Sequence, residues 1–251
     1  MKTSLCLATA LALATSSCCT MRTQVVDGIH PKHTFHWKST RRADIQYLLH
    51  LPQSYSPHRR ERYPLLIFLH GSGERGTNVQ RVAVHGPLKE VRQGRNLPFV
   101  IVAPQCPPGQ RWENEPLNAF LDHVLDEYHV DPDRVYLTGL SMGGYGTWSW
   151  GVTRPDRFAA IVPICGGADV LDIVLAKTDR KNALQSLPVW AFHGAKDSVV
   201  PVEESERAVD LLKKNGVKNV KLTIYPEADH DSWTETYKNR ELYDWLLKQS
   251  R

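Results

Sequence analysis

Ser141 lies in the stretch Gly139-Leu140-Ser141-Met142-Gly143, which sets a hydroxyl group between two glycines. A β-branched and aromatic run at 134–138 precedes it, and a segment compatible with a helix, 145–152, follows. A sharp turn between a strand and a helix exposes a serine oxygen where a histidine can reach and activate it. Glycines suit that turn because side chains there would collide with it. The spacing therefore predicts a serine nucleophile.

A strand, a Gly-x-Ser-x-Gly turn and a helix are typical of the nucleophile elbow of α/β-hydrolases. In that fold the nucleophile, the acid and the histidine follow one another along the chain. Of the eleven histidines, only His193 and His230 follow Ser141. His193 ends a predicted strand, whereas His230 lies in a polar loop after the last strand. We therefore predict that His230 is the general base.

The acid that orients the base is expected after the nucleophile. Asp197 directly follows an apolar strand, and its carboxylate would fix the imidazole tautomer and stabilise the imidazolium. Asp169 competes because it follows the preceding strand, and Asp229 and Asp231 compete because they flank the histidine. Adjacent residues rarely point inward together, so the last two rank below Asp197.

Backbone N–H groups are expected to stabilise the oxyanion that forms in the reaction. In this fold they come from the residue after the nucleophile and from the loop after the third strand. These positions correspond to Met142 and to Gly71 or Ser72. Glycines in the 70–73 loop permit the close backbone approach that such a site requires.

Apolar runs alternate with amphipathic segments and provide the elements that would position these side chains. Eight segments have the composition of strands: 34–37, 45–51, 64–70, 99–104, 134–138, 160–164, 188–193 and 220–224. Helices are predicted over 117–128, where apolar residues recur at helical spacing, from 203 to 214, and at 237–246. This alternation predicts an α/β fold, with a mostly parallel central sheet of about eight strands and helices on both faces.

The chain has 251 residues, 41% of them hydrophobic and 23% charged, which favours one sizeable α/β domain. We expect that domain at 34–251, preceded by a signal peptide at 1–20 and a polar tether at 21–33. The formal net charge is +4, but lysine and arginine are scattered, so no nucleic-acid partner is expected. No Cys/His spacing resembles a metal site, and no cofactor is expected.

The N-terminus has the pattern of a secretory signal peptide. Lys2 precedes a short apolar run at 5–14, and small residues follow up to Cys19. The run is too short for a transmembrane helix. We therefore expect export, to the periplasm or out of the cell. Lipid anchoring at Cys18 or Cys19 is an alternative to simple cleavage, and membrane contact is expected only through such an anchor.

Two cysteines remain in the predicted domain, Cys106 and Cys165. In an oxidising compartment they are able to pair. Both follow predicted strands that would not be neighbours in the usual hydrolase sheet, which favours free, buried thiols.

Four motifs resemble one group of secreted bacterial α/β-hydrolases. They are His70-Gly71-Ser72-Gly73-Glu74-Arg75-Gly76, Ala103-Pro104-Gln105-Cys106-Pro107, the run from Tyr136 to Gly144, and Ala191-Phe192-His193-Gly194-Ala195-Lys196-Asp197. The group is similar to polyhydroxybutyrate-depolymerase-type and feruloyl-type esterases, and its members are often labelled phospholipase/carboxylesterase or predicted peptidase. The resemblance covers about residues 45–248 and implies esterase chemistry with Ser141, Asp197 and His230 as the triad.

The leading hypothesis is a serine esterase that acts on small-molecule or polysaccharide-linked esters, among them acyl or feruloyl esters of plant polysaccharide. Trp112 and Trp233 are candidates to stack on an aromatic acyl group or a sugar, with ordinary packing as the alternative. A prolyl-oligopeptidase-like peptidase shares the triad, but such enzymes usually add a large gating domain, for which this chain offers no room. A catalytically silent binding protein would have no need of all three triad residues.

Overall fold

The alternating direction of the side chains along the strand Tyr63–Leu69 explains how the central sheet is covered. Leu65, Ile67 and Leu69 pack into one apolar cluster, whereas Leu66 and Phe68 pack into a second. Successive side chains of a strand point to opposite faces, so the two clusters lie on opposite sides of the sheet. The continuous apolar run in the sequence therefore forms a strand that is buried on both faces of the sheet.

The computed structural model describes residues 44–251. The strands are β1 Tyr47–His50, β2 Tyr63–Leu69, β3 Val100–Pro104, β4 Val130–Leu140, β5 Ala160–Ile164, β6 Val189–Gly194 and β7 Val220–Tyr225. The helices are α1 Gly86–Arg92, α2 Asn114–Glu127, α3 Met142–Thr153, α4 Val170–Asp179, α5 Lys181–Ser186, α6 Glu203–Lys214, α7 Trp233–Lys238 and α8 Arg240–Leu246. The expected signal peptide, the tether and the strand at 34–37 lie outside the described residues.

The described strands form one sheet in the order β1-β3-β2-β4-β5-β6-β7. All neighbouring strands are parallel except β1 and β3, which are antiparallel. The predicted mostly parallel α/β sheet with helices is confirmed. The prediction of about eight strands is corrected to seven in the described part of the chain, because the additional predicted strand falls before residue 44.

The prediction of a single last helix at 237–246 is wrong, because the segment contains two helices. Asn239 separates α7 from α8 with an extended backbone, φ −70° and ψ 117°. Its side chain accepts a hydrogen bond from the backbone N–H of Glu241 and so caps the start of α8. Apolar residues on both sides of the break still pack into the same cluster, which explains why the sequence pattern continues across it.

The loops that carry the predicted site residues leave the sheet at one edge. Gly71 follows β2, Ser141 follows β4, Asp197 follows β6 and His230 follows β7. Because these four strands are parallel, their carboxyl ends meet at the same edge, where open α/β sheets form their sites.

Among the described residues, no helix is both long enough and apolar enough to cross a bilayer.

Candidate active site

Ser141 occupies a strained turn between β4 and α3. Its backbone has φ 52° and ψ −116°, a conformation that is uncommon for any residue but glycine. The flanking glycines leave no room for side chains, because a β-carbon on Gly139 would lie 2.7 Å from the carbonyl oxygen of Leu69. The Ser141 N–H donates to the carbonyl oxygen of Ile164 at 3.0 Å. Close packing therefore holds the strained serine in one position.

Three of the predicted site residues form a continuous hydrogen-bonded chain. His230 Nε2 lies 2.9 Å from Ser141 Oγ, and His230 Nδ1 lies 2.8 Å from Asp197 Oδ2. The carboxylate of Asp197 is fully buried, whereas the imidazole retains 18% exposure. An acid fixes one ring nitrogen in this arrangement, so the other is free to take a proton from the serine hydroxyl.

Two of the aspartates that compete with Asp197 for the role of the acid accept hydrogen bonds at the starts of helices. Asp169 Oδ1 accepts from the backbone N–H of Leu171 at 2.8 Å and caps α4. Asp231 Oδ1 accepts from the backbone N–H of Thr234 at 3.0 Å, in the first turn of α7. Each carboxylate therefore supplies an acceptor to a helix N-terminus rather than to the His230 ring.

Asp229, the remaining competitor, holds the loop that carries the histidine. Its Oδ1 accepts from the backbone N–H groups of Ser198 and His230, both at 2.7 Å. These hydrogen bonds, first among them the one from Ser198, lower the pKa of Asp229. Asp229 thus ties the loop after β7 to the loop after β6, so that the ring of His230 faces Asp197.

His70 fixes the loop that is predicted to stabilise the oxyanion. Its Nε2 accepts from the backbone N–H of Cys106 at 2.9 Å, so Nδ1 carries the ring proton and donates to the carbonyl oxygen of Gly71 at 2.6 Å. Burial lowers the pKa of His70 to about 4, consistent with a neutral ring. This role of His70 was not predicted from the sequence, although a histidine between a buried strand and a glycine-rich loop is a signal of it.

The hydrogen bond from His70 orients the next peptide group. No described peptide bond is cis, so the C=O of Gly71 and the N–H of Ser72 point in opposite directions. With the carbonyl held by His70, the Ser72 N–H points away from that ring. Met142 is the first residue of α3, and its N–H has no partner within the helix. The N–H groups of Ser72 and Met142 are therefore able to donate to a substrate oxygen at this edge of the sheet.

A cavity of about 690 Å³ opens beside Ser141, between the starts of α2, α3 and α4. Trp112 lines this cavity, and its indole N–H donates to the carbonyl oxygen of His70 at 3.1 Å. Trp233 does not belong to this lining and packs edge-on against His230, with ring centroids 5.3 Å apart. Of the two tryptophans predicted to bind substrate, Trp112 therefore lines the cavity beside Ser141, whereas Trp233 packs against His230.

Cys165, Asp197 and His230 bring one ligand atom each within 4.8 Å of one another, a spacing that fits a metal ion. Burial raises the pKa of the Cys165 thiol to about 12. The acid and the histidine are hydrogen-bonded to each other. Two of the three candidate ligand residues are therefore already paired with each other. Cys106 and Cys165 are both free and buried.

Comparison with known proteins identifies the family of this chain. Residues 113–241, just over half of the chain, match the phospholipase/carboxylesterase family. The chain belongs to this family. That assignment confirms the resemblance inferred from the four motifs, and it confirms the α/β-hydrolase fold.

Two curated relatives are similar to this chain over part of their length. The chain is 28% identical over 194 residues to a bifunctional acetylxylan esterase/xylanase of Neocallimastix patriciarum, covering 72% of this chain and 26% of that protein. It is 28% identical to poly(3-hydroxyalkanoate) depolymerase C of Paucimonas lemoignei, covering 51% of this chain and 33% of that protein. The chain therefore spans only about a quarter to a third of the length of these relatives.

A solved structure described as a thermostable esterase is also similar. It shares 37% sequence identity with this chain and superposes with a TM-score of 0.66, covering 82% of this chain and 60% of that structure.

Proposed function

We propose that the protein is a serine hydrolase that cleaves carboxylic esters through an acyl-enzyme. The observation that carries this proposal is the hydrogen-bonded chain from Ser141 through His230 to Asp197. In the proposed roles, Ser141 is the nucleophile, His230 is the general base, and Asp197 orients the imidazole. Membership of the phospholipase/carboxylesterase family supports the same reaction class.

In the proposed reaction, Ser141 Oγ attacks the ester carbonyl carbon while His230 Nε2 takes the hydroxyl proton. The carbonyl electrons move onto oxygen and form a tetrahedral oxyanion. The bond to the alcohol oxygen then breaks, and His230 returns the proton to that oxygen. Water attacks the acyl-enzyme with His230 again as base, which releases the acid and restores the serine. Asp197 remains ionised and stabilises the imidazolium in both halves.

The oxyanion is proposed to bind the backbone N–H groups of Met142 and of Gly71 or Ser72. Of the last two, Ser72 is favoured, because His70 holds the Gly71 carbonyl and turns the Ser72 N–H the opposite way. Removing one donor from an oxyanion hole typically costs about 2.7–4 kcal/mol of transition-state stabilisation. Backbone donors need no rearrangement at the moment of reaction.

For the substrate, we propose acyl or feruloyl esters of plant polysaccharide. The cavity beside Ser141 combines the ring of Trp112 with polar side chains such as Asn114 and Asp172. An indole ring stacks on the apolar face of a sugar or on a feruloyl ring, while amides and carboxylates bind hydroxyl groups. The name of the relative from Neocallimastix patriciarum, an acetylxylan esterase/xylanase, supports this class.

A side-by-side substrate panel tests the function. Feruloyl esters, acetylated sugars, acyl-chain esters and proline-containing peptides are offered to the wild type and to Ser141→Ala. We expect ester hydrolysis by the wild type alone, together with covalent labelling of Ser141 by an organophosphonate. Cleavage of the peptides alone would identify a peptidase. A folded wild type that neither hydrolyses nor becomes labelled would identify a binding protein instead.

Trp112 variants test the substrate class within the same panel. Trp112→Ala should raise KM for feruloyl and sugar esters by about tenfold, and should change KM for a small aryl acetate much less. Trp112→Phe is the matched control, because it keeps a ring in the cavity. Equal effects of Trp112→Ala on all esters would argue against a stacked sugar or feruloyl group.

We also propose that the protein is exported, on the strength of the signal-peptide pattern at 1–20. Lipid anchoring at Cys18 or Cys19 is the alternative to a free mature chain. Labelling with a palmitate analogue distinguishes the two, with the double variant Cys18→Ser/Cys19→Ser as control. Label in the wild type and none in the double variant would identify the anchored form. Protein retained entirely in the cytoplasm would contradict export.

A further inference from the structure

A hydrogen-bonded network of side chains forms part of the lining of the cavity beside Ser141. Asn114, Ser149 and Asp172 belong to this lining, and they come from α2, α3 and α4 respectively. Asn114 Nδ2 lies 3.2 Å from Ser149 Oγ, which in turn lies 3.0 Å from Asp172 Oδ2. The network therefore shares one cavity with the proposed nucleophile.

The direction of each hydrogen bond in this network follows from its neighbours. The carboxylate of Asp172 only accepts, so the Ser149 hydroxyl donates its hydrogen to Oδ2. The Thr153 hydroxyl donates its hydrogen to the carbonyl oxygen of Ser149 at 2.7 Å. Both hydroxyl oxygens therefore accept from Asn114 Nδ2, at 3.2 and 3.0 Å. The Asn114 amide thus uses both of its hydrogens within the network.

Two oxygen atoms of the network have no hydrogen-bond partner in the part of the chain that the structure describes. They are Oδ1 of Asp172 and Oδ1 of Asn114, and both act only as acceptors. Burial raises the pKa of the Asp172 carboxyl, the hydrogen bond from Ser149 lowers it, and the charge of Asp169 raises it further. A ligand group that donates to Oδ1 would stabilise the charged carboxylate.

Charged and aromatic side chains around the cavity indicate what kind of donor fits. Three acidic residues of the lining, Glu113, Asp169 and Asp172, would repel an anion. Arg111 belongs to the same lining and opposes a cation. The indole ring of Trp112 offers an apolar face to the same cavity. A neutral sugar matches these features, because it carries several hydroxyl donors and an apolar ring face.

We propose that Asp172 and Asn114 are specificity-determining residues, whose Oδ1 atoms accept hydrogen bonds from two hydroxyl groups of a neutral sugar on the alcohol side of the ester. This inference rests on the proposed esterase function and narrows its substrate class. A feruloyl group carries one hydroxyl and a simple acyl chain carries none, so neither supplies two donors. Ser149 acts through Asp172, because its hydroxyl holds Oδ2 and leaves Oδ1 to the ligand.

Two substrates that carry the same acetyl group test this role in the wild type. A mono-acetylated methyl xyloside has two free hydroxyl groups, whereas its dideoxy-difluoro analogue has fluorine atoms of similar size that donate no hydrogen. We expect kcat/KM, divided by the rate of alkaline hydrolysis, to be about 10- to 100-fold lower for the analogue. Equal corrected values for the two substrates would overturn the proposal, and this comparison requires no variant to fold.

Asp172→Asn replaces the free acceptor with a donor of the same size. The Ser149 hydroxyl still donates to residue 172, so the new amide oxygen faces Ser149 and the new NH2 group takes the place of Oδ1. The preference for the xyloside over its difluoro analogue should therefore fall by about tenfold. A merely structural link between α3 and α4 would not change this ratio.

Asp169→Asn is the matched control. It removes the same charge from the same cavity, and asparagine still caps α4. Its preference for the xyloside should stay within about threefold of the wild-type value. Equal losses of preference in Asp169→Asn and Asp172→Asn would show a general effect of charge and would overturn the proposal.

Asn114→Ala tests the second acceptor. We expect a smaller loss of preference than in Asp172→Asn, by about threefold, because a hydrogen bond to a neutral oxygen is weaker than one to a charged oxygen. An unchanged preference would remove Asn114 from the proposed pair.

Acetylcholine tests the alternative of a cationic alcohol. We expect the wild type to hydrolyse it with a lower kcat/KM than the acetylated xyloside. A higher kcat/KM for acetylcholine that falls in Asp172→Asn would identify a cation site and overturn the proposal.

Binding of methyl xyloside, followed by an NMR titration, separates this inference from the proposed function. If the wild type hydrolyses no ester, the function fails, yet weaker sugar binding in Asp172→Asn than in Asp169→Asn still supports the site. If the wild type hydrolyses phenyl acetate but shows no preference for the xyloside over its difluoro analogue, the function stands and the inference is lost.

Discussion

Gly143 meets the backbone of Leu69 so closely that no side chain fits between them. A β-carbon on Gly143 would lie 2.5 Å from the Leu69 carbonyl carbon and closer still to its oxygen. The start of α3 therefore rests directly on the end of β2. This contact brings the Met142 N–H and the loop that begins at His70 to the same edge of the sheet, which is where an oxyanion site needs two donors.

Gly143→Ala should destabilise the protein strongly. The obstructing atoms belong to backbone in the middle of the fold and cannot move aside as a flexible side chain can. We expect the free energy of unfolding to fall by about 3 kcal/mol or more, measured by urea denaturation with tryptophan fluorescence. Gly73→Ala is the control, because a β-carbon there would meet no atom within 4 Å. Similar losses in both variants would contradict the close contact at Gly143.

Ser141→Gly should remove activity and increase stability. Serine at φ 52° and ψ −116° is strained, while glycine adopts this region without a steric penalty. Ser141→Ala removes the same hydroxyl and keeps the strain, so it is the matched control. We expect both variants to be inactive and Ser141→Gly to be more stable than Ser141→Ala by about 1 kcal/mol, after the entropic cost of glycine. Equal unfolding midpoints would show that the turn stores no strain.

Much of the fold was predictable because its strands are apolar runs and its motifs are local. The run at 64–70 and the turn around Ser141 carry their own structural signals, and chain order then singles out His230. The choice among acids was not local. Asp169 and Asp229 resemble Asp197 in sequence, and Asp197 differs from them in the hydrogen bond between its carboxylate and the ring of His230.

The contacts of two histidines do not follow from their positions in the sequence. His70 begins a glycine-rich loop, and His193 lies near the end of a strand. His70 accepts a hydrogen bond from Cys106, which lies 36 residues away after another strand, and His193 is hydrogen-bonded to Val200 and Ser205. A histidine buried at a strand end needs partners for both ring nitrogens. That requirement predicts that such a histidine has hydrogen-bond partners inside the protein, but only the three-dimensional fold shows which residues they are.

Asp197→Asn should reduce kcat far more than Asp229→Asn. Asparagine at 197 presents a neutral amide to His230 and no longer stabilises the imidazolium, so we expect a loss of about 10³-fold or more in ester hydrolysis. Asparagine at 229 still offers an oxygen to the backbone N–H groups of Ser198 and His230, so a loss within about tenfold is expected. Steady-state kinetics of both purified variants measures the ratio. A larger loss at 229 than at 197 would reverse the assignment of the acid.

The buried ring of His70 should make the protein less stable in mild acid. Burial lowers the pKa of His70 to about 4 in the folded chain, below its ordinary value of 6.5. Between these two values the unfolded chain binds the proton and the folded chain does not, so stability falls as pH drops from 6.5 toward 4. By pH 4.5 this one group costs about 2–3 kcal/mol. Carboxylates titrate in the same pH range, so the contribution of His70 must be measured as the difference in stability loss between the wild type and a variant without this ring.

His70→Gln provides that difference, because glutamine does not titrate. Urea unfolding of the wild type and of His70→Gln at pH 7.5 and pH 4.5 separates the contribution of this ring from that of every other group. We expect the wild type to lose about 2–3 kcal/mol more than the variant between the two pH values. The variant should be the less stable protein at pH 7.5, where it lacks the ring that joins Cys106 to Gly71. Equal losses of unfolding free energy in the two proteins would mean that burial does not hold His70 neutral. The proposed role of a neutral His70 in fixing the oxyanion loop would then be contradicted.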